Sequence, residues 1–142
     1  CLMPNHIHFT VVPKTFSALS ETLRTCQSRY SQNTNKRHER CGHLWHSRFY
    51  SASLDDRHLY EVLRYVENNP VDAGLVRHAE DWPWSSAAFH LGLKRAALPV
   101  RPVEDFITIP DWKLYLSEKY DKTVLKNIIK SDSHLLNSDV TA

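Results

Sequence analysis

Within the first thirty residues the spacing of apolar side chains changes from every second residue to every third or fourth. In His6-Ile7-His8-Phe9-Thr10-Val11-Val12, Ile7, Phe9 and Val11 project one way and His6, His8 and Thr10 the other. That alternation is the signature of a half-buried strand. Pro13 ends it, because proline has no N–H to give to a ladder. From residue 15 to about residue 30, Phe16, Leu19, Leu23, Cys26 and Tyr30 recur at intervals of 3, 4, 3 and 4, an apolar stripe along one face of a helix. A chain that commits to both periods must bury a strand face and a helix stripe together.

The rest of the chain extends this reading. Residues 31–42 are polar, basic and rich in Asn, Ser and Arg, and read as an exposed loop. Residues 43–52 read as a second strand, with Trp45, Phe49 and Tyr50 supplying β-favouring bulk. Ser53 is a plausible N-cap for a helix over 54–69, with Asp55 and Asp56 in the first turn. Leu59, Val62, Leu63 and Val66 form its core face, and it stops before Pro70. A turn over 69–76 follows, then the aromatic knot Trp82-Pro83-Trp84 and a short helix over 85–90. Residues 98–110 carry three prolines and read as irregular. Asp111 can cap a helix over 112–120 that continues or repeats over 122–130, and the polar residues 131–142 read as a flexible tail. The implied organisation is a main domain over 1–91, a helical extension over 92–130 and that tail.

Composition removes several classes. At 142 residues the chain has about one domain's worth of sequence. Three glycines and seven prolines exclude collagen-like and linker-like chains. Apolar runs are too short for a membrane-spanning helix, and no signal peptide is evident, so the expected location is the cytoplasm. Cys1, Cys26 and Cys41 lack CxxC spacing, which argues against a zinc ribbon and a disulfide framework. The net charge of +2 is unevenly spread. From Lys14 to Arg48 there are seven Lys and Arg residues (14, 24, 29, 36, 37, 40 and 48) against Glu21 and Glu39, a local +5. Such a segment could neutralise phosphates, or be a solvated basic loop.

Two groups of residues could do chemistry. His6 and His8, at i and i+2 on a strand, share a face and can reach one metal ion; the alternative is a chance pair on a solvated face. On the helix over 54–69, Tyr65 and Asn69 sit one turn apart at the edge of the apolar face, with His58 on the same stripe. Tyr65 could also be a half-buried packing tyrosine, and Asn69 an ordinary residue before proline. Tyr60 lies about 140° around the helix from Tyr65 and does not serve the same site. The four tryptophans are not assigned to base stacking.

These pieces together resemble a known family. Cys1-Leu-Met-Pro-Asn-His-Ile-His-Phe9 looks like the HUH strand of the IS200/IS605-type single-tyrosine transposases. Gly42-His-Leu-Trp-His-Ser-Arg-Phe49, Leu63-Arg-Tyr-Val-Glu-Asn-Asn-Pro-Val-Asp-Ala-Gly-Leu-Val76 and Trp82-Pro-Trp-Ser-Ser86 are similar to the REP-associated tyrosine transposases. The match covers residues 1 to about 91, and no family motif follows. The resemblance implies an α+β fold: a ferredoxin-like antiparallel sheet with helices packed on one face, incomplete at the N-terminus, and a small helical C-terminal extension. It implies His6, His8 and Asn69 as ligands of Mg²⁺ or Mn²⁺ and Tyr65 as the nucleophile. It also implies single-stranded or hairpin DNA as substrate, cut to leave a 5′-phosphotyrosine and a free 3′-OH. Lys36, Arg37, Arg40 and Arg48 are then the residues expected to track the DNA backbone, and the protein would associate with the nucleoid when bound.

Two departures accompany the resemblance. Family members carry about one strand, one helix and another strand before the HUH strand, which this sequence lacks at its start. The expected open sheet edge could pair with a second copy as a homodimer. Asp72 stands where the family often has Arg, which removes a positive charge near Asn69. Three readings follow: a transposase that cuts and joins strands through Tyr65, a catalytically inactive hairpin-binding remnant, and a metal-dependent phosphohydrolase with no covalent intermediate. A phenol ordinarily titrates near about 10, so a tyrosine nucleophile needs activation. No dedicated base is evident in the sequence.

Overall fold

The computed structural model describes residues 1–15, 17–96, 100–121 and 123. Among them the regular elements are helical: α1 (Ala18–Arg37), α2 (Asp56–Asp72), α3 (Ala87–His90) and α4 (Trp112–Ser117), with 3-10 turns at Ala79–Asp81 and Val103–Asp105. The expected α+β fold with a ferredoxin-like sheet is not formed. The β-pairing among the described residues is one isolated antiparallel bridge between Leu2 and Ile7. Contacts divide the chain into two units, Cys1–Thr10 with Ala52–Ala142, and Val11–Ser51.

The reason for the missing sheet lies in where the backbone bonds go. Residues 1–8 double back on themselves. The Cys1 amine donates to the His8 carbonyl at 2.9 Å and the His8 N–H returns to the Cys1 carbonyl at 2.9 Å. The Met3 N–H reaches the His6 carbonyl at 2.9 Å across Pro4 and Asn5. The first three residues of the alternating run, His6 to His8, thus pair with residues 1–3. The expected second strand is not a strand: residues 43–52 form bends and irregular backbone. A lone strand with no paired neighbour is unstable in water, and the apolar side chains Ile7, Phe9 and Val11, expected in a core, are exposed.

In the first unit the core forms on α2. Asp55 caps this helix rather than Ser53: its backbone is extended and its carboxylate accepts the His58 N–H at 2.7 Å. The helix also runs through Pro70, where a stop was expected. A proline this close to the end costs only its own bond back to the Val66 carbonyl. The end is then closed by the Gly74 N–H on the Val71 carbonyl and the Leu75 N–H on the Pro70 carbonyl, both at 2.9 Å, with Gly74 at φ +69°. Leu63, Val66 and Pro70 are buried with Met3, Ala79, Ala87, Ala88 and Tyr115. Leu59 and Val62, of the expected core face, are half-buried. The short helix expected over 85–90 forms as α3, and Asp111 caps α4 by accepting the Leu114 N–H at 2.9 Å. α4 ends at Ser117, short of the expected residue 120. The helix expected over 122–130 and the tail over 131–142 lie outside the described residues, apart from Thr123.

In the second unit α1 runs about two turns beyond the end of the apolar stripe at Tyr30. Residues expected in a loop continue it to Arg37. Local side-chain bonds help: Ser31 Oγ donates to the Gln27 carbonyl at 2.8 Å and Gln32 Nε2 to Ser28 Oγ at 3.4 Å. Lys36 and Arg37 in the last turn complement the helix dipole. Within this unit Trp45 Nε1 donates to the Gln27 carbonyl at 3.2 Å, and its ring lies 5.8 Å from that of Tyr30. No residue of α1 is fully buried; Leu19 and Leu23 are half-buried, Cys26 and Tyr30 are exposed, and Phe16 lies outside the described residues.

Candidate functional site

Two local periodicities assemble one cluster. The i, i+2 spacing puts the His6 and His8 rings 4.8 Å apart, edge to face at 84°. The i, i+4 spacing on α2 puts Tyr65 and Asn69 one turn apart. The hairpin and the helix then meet. The His8 ring lies 5.2 Å from the Tyr65 ring at 72°, and Asn69 Nδ2 donates to His8 Nε2 at 3.2 Å. The hairpin is held by the Leu2 N–H on the Trp84 carbonyl and by Trp82 Nε1 on the Leu2 carbonyl, both at 2.9 Å. The aromatic knot therefore anchors the histidine segment.

The hydrogen bonds define the histidine tautomers. Asn5 Oδ1 lies 2.6 Å from His6 Nδ1, so this nitrogen carries a proton. On His8 the Asn69 amide N–H faces Nε2, which again leaves the proton on Nδ1. Burial, and next the adjacent His6 ring, push the His8 imidazole down to about 4, so it is neutral at physiological pH. An imidazole with an unprotonated Nε2, beside a buried side-chain amide, is a donor suited to a divalent cation. Among the described residues no group of three or more His, Cys, Asp or Glu side chains is arranged to hold a metal. The available protein donors are these two imidazoles and the amide oxygen.

Lys36 and Arg37 fall in the last turn of α1, Arg40 in the turn after it and Arg48 in the irregular segment beyond; all four are exposed. They belong to the Val11–Ser51 unit, whereas His6, His8, Tyr65 and Asn69 belong to the other.

Several neighbours of the cluster have no sequence signal. Glu67, on the opposite side of α2, is fully buried and accepts from Ser86 Oγ at 2.5 Å and His90 Nδ1 at 2.6 Å. Arg64 is buried between the Tyr60 and Tyr115 rings and pairs with Glu118 at 2.7 Å. Tyr120 places its ring 6.1 Å from that of Tyr65. Apart from Tyr60, these partners are 19 to 55 residues apart in sequence, beyond the reach of local spacing.

The sequence that carries these residues has counterparts among known proteins. Residues 1–69 match the family described as Transposase IS200 like, a stretch that contains His6, His8, Tyr65 and Asn69. That stretch is similar to the IS200-like transposases and makes up 69 of the 142 residues. The chain is also similar to a protein of Haemophilus influenzae named "Putative REP-associated tyrosine transposase". The two are 29% identical over 125 residues, covering 80% of this chain and 68% of the relative. The family reached from the motifs is thus the family found. No solved structure matches the chain. No helix among the described residues is long and apolar enough to cross a membrane.

Proposed function

We propose that this chain is a metal-dependent endonuclease and strand transferase for single-stranded hairpin DNA, with Tyr65 as nucleophile. The observation that carries the reading is the gathering of His6 and Asn69 around His8, whose ring meets the Tyr65 ring. The family match and the REP-associated relative support it.

In this reading the Tyr65 hydroxyl oxygen attacks the scissile phosphorus. The bond from phosphorus to the 3′-oxygen breaks, leaving a 5′-phosphotyrosine and a free 3′-OH. The phenolic proton goes to solvent and the departing oxygen takes up a proton. A 3′-OH attacking the phosphotyrosine reverses the step and joins strands. His6, His8 and Asn69 would hold Mg²⁺ or Mn²⁺, which when bound supplies Lewis-acid polarisation of the phosphate oxygens. The His8 ring limits the rotation of the Tyr65 ring and directs its hydroxyl. Lys36, Arg37, Arg40 and Arg48 would contact backbone phosphates without reading sequence.

The test is a denaturing gel of the protein mixed with end-labelled single-stranded hairpin DNA and Mn²⁺. The wild-type chain is expected to form a protein–DNA adduct that chelation prevents. Tyr65→Phe is expected to lose adduct and cleavage while still shifting the hairpin on a native gel. Cleavage that survives Tyr65→Phe would instead identify hydrolysis without a covalent intermediate. Hairpin binding by the wild type with no adduct would identify an inactive binder.

A further inference from the structure

The side of α2 next to Tyr65 carries a regular ladder. Tyr60, Arg64, Asn68 and Asp72 fall at i, i+4, i+8 and i+12, and each holds the C-terminal segment that runs from α4 to Tyr120. Tyr115 OH donates to the Tyr60 carbonyl at 2.5 Å. Arg64 donates to Glu118 Oε2 at 2.7 Å and to the Lys119 carbonyl at 3.4 Å. Asn68 Nδ2 donates to the Leu116 carbonyl at 2.9 Å. The last rung is Tyr120, whose hydroxyl donates to Asp72 Oδ2. In an α-helix the neighbouring row of that spacing is Glu61, Tyr65, Asn69, so the segment lies alongside the row that carries the proposed nucleophile.

The end of the segment reaches the nucleophile itself. The Tyr120 ring stands edge-on to the Tyr65 ring, 6.1 Å away at 74°. The His8 ring meets Tyr65 in the same manner at 5.2 Å and 72°. A tyrosine ring has two side-chain torsions, and two edge-on neighbours restrict both. We infer that Tyr120 is a positioning residue for Tyr65: its ring fixes the direction of the attacking phenol, and its own ring is pinned by Asp72. Burial, and then the bond to Asp72, push the Tyr120 phenol well above its usual range, so this second phenol keeps its proton where a nucleophile must lose one. Asp72, which departs from the Arg often found in the family, thereby acquires a use one turn beyond Asn69.

This inference rests on Tyr65 being the nucleophile, and the experiment separates the two. Adduct formation on labelled hairpin DNA with Mn²⁺ is followed in single turnover for the wild type and for Tyr65→Phe, Tyr120→Leu, Tyr120→Phe and Asp72→Ala. Hairpin affinity is measured alongside. Tyr120→Leu is expected to slow adduct formation roughly tenfold, the scale of a misaimed reacting group, with affinity unchanged. Tyr120→Phe, which keeps the ring, is expected to regain most of that rate. Asp72→Ala, at the exposed helix end, is expected to give the same small loss as Tyr120→Phe, and the double variant no more than either. These two variants carry the test if Tyr120→Leu does not fold. A wild-type rate in Tyr120→Leu, additive losses in the double variant, or a fall in affinity matching the fall in rate would overturn the positioning role. An adduct that persists in Tyr65→Phe would instead overturn the nucleophile assignment, and with it the inference.

Discussion

Burial and the adjacent His6 ring keep the His8 imidazole neutral far below the pH at which a free histidine titrates. In the unfolded chain the same ring titrates near about 6.5. Between that value and the folded value near 4, the unfolded state binds one proton more. Stability therefore rises with pH across this window and is lost as pH falls through it. The metal-free chain is expected to show a falling melting temperature between pH 6.5 and 4, and His8→Gln is expected to flatten that fall. Asp55, whose carboxylate is lowered chiefly by accepting the His58 N–H, adds its own loss only below its ordinary range. An NMR titration giving His8 an ordinary value would show that its ring is not held as described. At this scale the site was largely legible. The pairs His6 with His8 and Tyr65 with Asn69 are set by the pitch of two local backbones, and the structure brings the four together. Tyr120 was not legible, because its approach to Tyr65 depends on how a segment fifty-five residues later lies along α2.

Helix ends show where element-level reading succeeds and where it fails. The Asp111 cap of α4 was legible because a cap is a property of four consecutive residues. The same chemistry one site over misplaced the start of α2, since Ser53 and Asp55 are both competent caps and only the extended backbone at Asp55 chooses between them. The sheet failed for a different reason. Alternation marks a residue's facing but not its partner, and here residues 6–8 of the run pair with residues 1–3 instead. The two long helices end alike: Arg40 N–H returns to the Asn35 carbonyl at 2.8 Å beyond Glu39 at φ +52°, as Leu75 returns to Pro70 beyond Gly74. Nothing lies within 4 Å of a Cβ built on Gly74, so Gly74→Ala tests backbone conformation alone. It is expected to destabilise the chain by about 1 kcal/mol, read by denaturant unfolding with an unchanged slope. An unchanged midpoint would mean that the left-handed residue is not what closes α2, the helix that carries Tyr65 and Asn69.

Across the whole molecule, charge and chemistry are divided between the two contact units. The proposed ligands and nucleophile belong to Cys1–Thr10 with Ala52–Ala142, and the basic excess belongs almost wholly to Val11–Ser51. That division allows binding and cleavage to be altered separately. Lys36, Arg37 and Arg40 are exposed, so replacing all three with Ala removes charge without opening a core. If they contact backbone phosphates, each contact on single-stranded DNA releases about 0.7 of a counterion. The logarithm of the binding constant against the logarithm of salt concentration should then lose about 2 from its slope in the triple variant. Tyr65→Phe should leave that slope unchanged, because a phenol releases no counterion. A triple variant with the wild-type slope would remove this segment from the DNA contact and leave the other cations of the chain to account for any affinity. Weaker binding with an unchanged slope would point to a disturbed fold instead, since loss of phosphate contacts must flatten the salt dependence.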